Sequence, residues 1–415
     1  MKIAFIVNSF PELSETFILD QITALMKLGH KIDVYSKIRP KPKKIHPDVI
    51  RYNLLDHTYY LKSMPTKKLV RLLGFIFLFF INLLKKPIIT LRSINFIQFG
   101  NEALSLNLFY IALSFSTKKN YDIIHCHFGL NGITGALLTK LGVLTGKLVT
   151  SFHGYDANAI SQEDFYTFLF KRGDVFTANS NFTKEKLIKL GTDSKKIHIL
   201  PEGFYINKFS FREKKIYEGG KIVILSICRL VEKKGLEYSI RAIANVIPMH
   251  LDYEIEYRIV GDGPLRETLH CLITELKMNH WIKLLGWCDE KEIRKHYEDA
   301  HIFMLSSVTA ENGDQEGQAL VLQEAQASGL PVISTIHNGI PEGVLDGKSG
   351  FLVPEKDIKA LTEKLSFLIK NHDLWPVMGR AGRNFVEQRY DINKLSLQLV
   401  KIYEYLLTQN VLEQK

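Results

Sequence analysis

The chain has 415 residues, 46% hydrophobic and 24% charged, with a formal net charge of +10. That length exceeds what one core usually serves, so two domains are expected, and the composition excludes a disordered chain. The charge is uneven: residues 1–200 hold 27 of the 54 basic and only 14 of the 44 acidic side chains. This fits either an anionic partner of the first half (a lipid headgroup surface, a lipid diphosphate or nucleic acid) or a lysine-rich bias of composition. Cys126, Cys228, Cys271 and Cys288 show no C-x2-C spacing. They are expected as buried, reduced thiols, which suits the cytosol.

In chain order, MKIAFIVNSF reads as a first strand, Ile3–Val7; its apolar part is too short for a signal peptide. Further strands are expected at Ile32–Tyr35, Asp122–His125, Lys147–Phe152, Val175–Ala178 and Ile197–Leu200, with helical patterns between them. Asn181-Phe182-Thr183 reads as a helix start capped by Ser180 or Asn181. After the turn-rich stretch Asn207–Gly220 the alternation restarts with Lys221–Cys228, Glu254–Val260, Ile282–Leu285, Ile302–Leu305 and Val332–Ser334. Two such series predict an α/β protein of two doubly wound, Rossmann-like domains, residues 1–205 and 206–390. Ligands are then expected in the cleft at the strands' carboxyl ends. A last helix, Lys394–Leu407 within 391–415, follows the second sheet.

One segment breaks the alternation. In KKLVRLLGFIFLFFINLLKK, the apolar run Leu72–Leu84 is bracketed by Lys67, Lys68, Arg71, Lys85 and Lys86. It is shorter than the roughly 20 residues a bilayer requires. Two readings stand: a buried helix of the first domain, or a helix resting in an anionic headgroup layer. Eight basic residues against one acidic in 51–100 favour the second.

The residues that can carry chemistry fall at predicted strand ends. SICRLVEKKG places Arg229 and Lys234 between a strand and a helix, where two cations suit a diphosphate leaving group; the plain alternative is a solvated turn. KLVTSFHGYDAN ends a strand at His153-Gly154, and DIIHCHFG places His125 and His127 on one side of a strand. RIVGDGPLRE lacks the third glycine of a dinucleotide fingerprint, since Arg266 stands there, so no nicotinamide cofactor is expected. No Asp-x-Asp follows a strand and the His and Cys residues lack ligand spacing, so no metal is expected either. From Ala300 to Val344 a strand ends in a polar loop carrying Glu316, and the following helix carries Glu324. Eight helical residues would rise roughly 12 Å, about the reach between the hexose and the ribose of a nucleotide sugar. Free amides at the helix start would attract the diphosphate between them.

Together with ASGLPV and NGIPE, this stretch resembles the E-x7-E signature of retaining glycosyltransferases of the GT-B fold, glycosyltransferase 4 type. RLVEKKG resembles their G-R-x-x-x-x-K-G element, with Cys228 in place of the first glycine. The loop NSFPELSETF, with Ser14, Glu15 and Thr16 where a glycine pair is usual, resembles a subgroup that builds colanic-acid-like exopolysaccharides on a lipid carrier. The resemblance implies a catalytic set of Glu316, Arg229, Lys234 and His153. Glu316 would hold donor-sugar hydroxyls and Glu324 the ribose. Gly317, Gln318, Ala319, Leu320, Gly261 and Trp287 would complete the donor site, and His127, Asp156 and Glu15 would line the acceptor side. One departure is EGQALVLQE, where Gln318-Ala319 replaces the usual Phe-Gly. The implied partners are a nucleotide-sugar donor, a lipid-linked glycan acceptor and an anionic membrane surface on the cytoplasmic face. No nucleic acid is implied, and the chain is expected as a monomer or weak oligomer. The crossing-back of the last helix onto the first domain is likewise implied by the resemblance. Two other functions share the fold. A sugar-nucleotide epimerase would need acid/base carboxylates around the hexose and no acceptor site. A non-catalytic binding module would not need Glu316, Arg229, Lys234 and Glu324 together.

Overall fold

A computed structural model describes residues 1–12, 15–40, 45–115, 119–158, 164–216 and 220–413. Ser14 lies outside them. Two all-parallel sheets form the frame. The first, ordered β3-β2-β1-β4-β5-β6-β7, comprises β1 (Lys2–Ser9), β2 (Lys31–Ile38), β3 (Thr58–Tyr60), β4 (Lys119–His127), β5 (Leu144–Phe152), β6 (Val175–Ala178) and β7 (Ile197–Ile199). The second, ordered β10-β9-β8-β11-β12-β13, comprises β8 (Lys221–Ile227), β9 (Glu254–Val260), β10 (Ile282–Gly286), β11 (Ile302–Leu305), β12 (Val332–Thr335) and β13 (Gly350–Val353). The α/β reading therefore holds, with β3 and β13 added to the strands expected.

Parallel strands covered on both faces read as unbroken apolar runs, and Ile3–Val7 in β1 is buried at every position. One face of the first sheet is covered by the helix Ile392–Glu413, whose Leu395, Leu399, Tyr403 and Leu406 pack with Phe5, Ile18 and Ile22. The two chain crossings between sheets pair with each other. The Phe204 amide donates to the Tyr390 carbonyl, and the Ile392 amide to the Phe204 carbonyl, both at 3.1 Å.

In each sheet the order reverses beside a central strand, between β1 and β4 and between β8 and β11. Such switch points leave a crevice at the carboxyl ends, because the flanking helices diverge there. The loops after β1, β4, β8 and β11 all open into these crevices.

Between β3 and β4 lies a helical excursion that the strand pattern did not describe. Its longest helix, Lys68–Lys85, has no buried residue. The buried-helix reading of this segment therefore fails. Phe75 is half-buried and packs edge-on to Phe109 at 4.9 Å, while Phe77 and Phe80 are 68% and 63% exposed. Cys271, expected inside, is exposed on the helix Arg266–Glu275, whereas Cys126 is buried. The helix Asn181–Lys189 is capped by Ser180, whose hydroxyl accepts from the Thr183 amide at 3.1 Å.

Candidate active site

β8 ends in a loop that carries Arg229 and a short turn, Glu232–Lys234. The Arg229 side chain is exposed and forms no ion pair among the described residues. Beneath it lies Gly261, with φ +134°; a Cβ there would meet the Cys228 carbonyl at 1.9 Å. Only glycine lets the two backbones approach so closely. The Gly261 amide donates to the Gly286 carbonyl at 2.7 Å. Gly261, expected in the donor site, therefore props up the Arg229 loop and has no amide left for a ligand. Trp287, just beyond β10, is half-exposed.

Lys234 reaches across to Glu316 in the loop after β11, and the two form a close ion pair. Burial alone would raise the Glu316 carboxyl. The charges of Lys234 and Lys233, with the hydrogen bond from Lys234, instead hold it down at about 2. The backbone around Glu316 is fixed from β12. Its amide donates to His337 Nε2 at 3.0 Å, and its carbonyl accepts from Asn338 Nδ2 at 2.7 Å. Accepting at Nε2 leaves the His337 proton on Nδ1, which faces the Glu355 carboxylate.

The helix itself starts later than expected. It spans Leu320–Ala327, so half of the interval from Glu316 to Glu324 is loop and the helical rise of roughly 12 Å does not apply. Ala319 caps it in the left-handed region, φ 59° and ψ 64°. That conformation favours glycine, the residue usual at this position in the resembling family. Glu324 accepts from the Tyr297 hydroxyl at 2.9 Å, and burial pushes its carboxyl up to about 7.

From the first domain, His153 stands at the end of β5, stacked on His127 at 5.2 Å, which stacks on His125 at 4.8 Å. Both ring nitrogens of His153 have internal partners: Nδ1 meets Glu202 Oε1 at 2.9 Å and Nε2 meets His127 Nδ1 at 3.0 Å. Its ring thus reaches a donor only by giving up a partner. His127 is buried behind it, and so is not itself on the acceptor surface. Asp156, also expected on the acceptor side, is buried with both oxygens accepting from backbone amides, of His153 at 2.9 Å and Gly129 at 2.8 Å. It shapes the His153 loop. Glu15, after β1, does face the cleft, within the fields of His153 and Arg229. Burial pushes its carboxyl up to about 7, with Glu12 and Glu202 adding to the rise.

The two domains meet here. A Cβ on Gly317 would lie 2.4 Å from the His153 carbonyl, and one on Gly154 would lie 2.9 Å from the Gly317 Cα. Backbone therefore packs directly on backbone across the cleft. Gln318, buried, donates from Nε2 to the Glu202 carbonyl at 2.9 Å and accepts at Oε1 from the Glu202 amide at 2.8 Å. Glu342 of the NGIPE string accepts from Asn181 Nδ2 and the Phe182 amide at the start of a first-domain helix. Lys208, at the crossing, lies within 3.5 Å of carboxylate oxygens of Asp20, Asp48 and Glu290. No sequence motif singles out Glu202, His337 or Tyr297. The one signal available was position, since Glu202 and His337 each follow a strand end.

Comparison with known proteins bears out the fold and identifies the family. Residues 207–385 match the family model for glycosyl transferases group 1, and residues 14–208 that for glycosyltransferase family 4. A protein of Escherichia coli K12 named as a colanic acid biosynthesis glycosyltransferase, WcaL, is 34% identical over 98% of this chain and 100% of its own length. The amylovoran biosynthesis glycosyltransferase AmsK of Erwinia amylovora is 35% identical over the same shares. Among solved structures, HepE of Anabaena, in complex with UDP and glucose, superposes with a TM-score of 0.70 at 19% identity, covering 98% of this chain and 100% of HepE. A sucrose-phosphate synthase of Thermosynechococcus elongatus also gives 0.70 at 18% identity, covering 99% and 100%. These likenesses establish the GT-B architecture. The chain belongs to the glycosyltransferase family whose first domain is of the family 4 type and whose second is of group 1.

Proposed function

We propose that this glycosyltransferase takes a hexose from a nucleotide diphosphate sugar and passes it, with retention at the anomeric carbon, to a sugar hydroxyl of a lipid-linked exopolysaccharide intermediate. The observation that carries the reading is the convergence of Arg229, Lys234 and Glu316 at the β8/β11 switch point, opposite His153-Gly154. The bond from the anomeric carbon to the leaving phosphate oxygen breaks, and the acceptor oxygen bonds that carbon from the same face. The acceptor proton passes to a leaving-phosphate oxygen. Arg229 and Lys234 oppose the charge that grows on the diphosphate, as a metal does elsewhere. Glu316 accepts from hexose hydroxyls and Glu324 from the ribose. Further support comes from relatives: solved neighbours are described with UDP and UDP-glucose, and WcaL and AmsK are named for exopolysaccharides.

The same proposal places the protein on the cytoplasmic face of the membrane. Leu69, Leu72, Leu73, Phe77 and Phe80 are exposed on the helix Lys68–Lys85, flanked by Lys67, Lys68, Arg71, Lys85 and Lys86. An apolar face with cationic flanks is complementary to an anionic bilayer surface. No helix among the described residues is long and apolar enough to cross it.

A panel of uridine and guanosine diphosphate sugars, assayed for slow hydrolysis, tests the donor. Release of one nucleoside diphosphate is expected, with the freed sugar first appearing as the anomer of the donor. No release from any donor, or release of the opposite anomer, overturns the reading.

A further inference from the structure

Glu202 belongs to no motif singled out in the sequence, yet it connects the donor-site loops of both domains. Its backbone amide and carbonyl are both held by the Gln318 side chain, two residues beyond Glu316. Its carboxylate accepts from His153 Nδ1 at 2.9 Å and from Asn179 Nδ2 at 3.2 Å. We infer that Glu202 is a positioning residue, which makes the orientation and charge of His153 depend on closure of the two domains.

The histidine column shows what Glu202 positions. His125, at its base, is locked between Ser151 Oγ at 2.6 Å and the Tyr403 hydroxyl of the crossing-back helix. Burial and the neighbouring His153 hold His125 down at about 3, and burial with both neighbours holds His127 well below the ordinary histidine range. Two stacked neutral rings therefore back a third that can carry charge. Burial also opposes charge on His153, but the hydrogen bond and charge of Glu202, with the charges of Asp156 and Glu15, outweigh it and raise its pKa. Of these carboxylates only Glu202 bonds the ring; Asp156 is spent on amides, and Glu15 shares its field with Arg229.

A protonated His153 donates from Nε2 to His127 Nδ1. The His127 proton then sits on Nε2, which has no partner among the described residues. His127 and Gln21, whose buried Oε1 is likewise without a partner among the described residues, both line a cavity of about 20 Å³. The column is thus self-consistent with a single charge, located where it meets the cleft. When the domains part, the Gln318 clasp is lost and Glu202 keeps no backbone anchor from the second domain. The His153 ring is then aimed and charged only when Gly317 has closed on it.

Histidine side-chain 15N NMR of the full chain tests this without relying on turnover. In the parent protein the His153 resonance should titrate above pH 6.5, with the proton on Nδ1 retained. In Glu202→Gln, which keeps the shape but not the charge, the midpoint should fall by about one pH unit, a tenfold change in protonation equilibrium. The His125 resonance serves as the folding control and should not move. Gln318→Leu, which touches neither ring nor carboxylate, should shift the His153 midpoint in the same direction. If glycosyl transfer is also observed, both variants should lower kcat more than they raise KM, and Glu202→Asp should recover part of the loss. An unmoved His153 midpoint in Glu202→Gln overturns the positioning role. A shift there with none in Gln318→Leu overturns the link to closure. Loss of transfer with every titration unchanged counts against the role even where the transferase reading stands.

Discussion

Lys234→Met leaves the Glu316 carboxylate without its closest cation in a site where the two side chains are only 11% and 15% exposed. The fall of the Glu316 pKa from 4.5 to about 2 corresponds to roughly 3 kcal/mol, at about 1.4 kcal/mol per pKa unit. Lys233 supplies part of it, so about 2 kcal/mol is expected for Lys234 itself. A group with a depressed pKa in the folded state stabilises above its unfolded pKa and loses that contribution as pH falls through the folded value. The stabilisation is therefore complete at pH 7 and fades between 4.5 and about 2. Calorimetry at pH 7 should show the second-domain transition lowered by roughly 4–8 °C, given about 2–4 °C per kcal/mol for a domain of this size. The deficit should shrink at pH 3. Adding Glu316→Gln to the same chain should recover most of the melting temperature, because no unpaired buried charge remains, yet leave turnover abolished. A Lys234→Met protein that melts with the parent at pH 7, or a double variant no more stable than the single, refutes the pairing argument.

If Arg229 opposes charge only partly present before the bond breaks, as proposed, Arg229→Ala should lower turnover on the order of 10²-fold while donor binding weakens far less; stopped-flow donor binding beside steady-state rates checks this. Turnover should persist in excess EDTA, and a complete loss restored by magnesium would show that a metal neutralises the diphosphate instead. If ribose hydroxyls donate to the ionised Glu324 carboxylate, as proposed, donor affinity should rise as pH rises through about 7, and Glu324→Gln should flatten that dependence in titration calorimetry. By linkage the raised Glu324 pKa stabilises the free protein below 4.5, and that stability is lost as pH climbs through about 7. Replacing Phe77 and Phe80 by serine should release the protein from anionic vesicles in sedimentation, with circular dichroism and activity on a soluble acceptor unchanged. Undiminished vesicle binding by that folded variant would remove the membrane role.

Where local chemistry determines position, the sequence was a good guide. Apolar runs ending in polar loops located the central strands, and strand ends located Arg229, Lys234, Glu316 and His153, because βα units deliver loop residues to one edge of a sheet. What failed were inferences about direction and partnership. His127 and Asp156 sit at strand and loop ends like their neighbours, but whether a side chain there faces the cleft or the backbone depends on contacts remote in sequence. The Asp156 oxygens are occupied by amides of residues 129 and 153. The excursion between β3 and β4 was obscure for a related reason: helices with exposed apolar faces give no burial pattern that places them on a core. Gln318 looked like a simple departure from the usual phenylalanine. Its use emerges only when the second domain brings it to Glu202, 116 residues earlier.

That departure also bears on how the two domains are held together. Phenylalanine at position 318 could offer burial alone, whereas glutamine satisfies both the donor and the acceptor of the Glu202 backbone in a place where unsatisfied groups are costly. The Lys234–Glu316 pair does the same for two buried charges, and Glu342 for the amide end of a first-domain helix. In the closed cleft these charges and amides are thus paired internally. On the proposed reading, a donor diphosphate would take Lys234 from Glu316 and hexose hydroxyls would take the carboxylate that Lys234 leaves. Both buried groups would then keep partners only when both halves of the donor arrive together. On that proposal the site would favour the intact nucleotide sugar over either half alone.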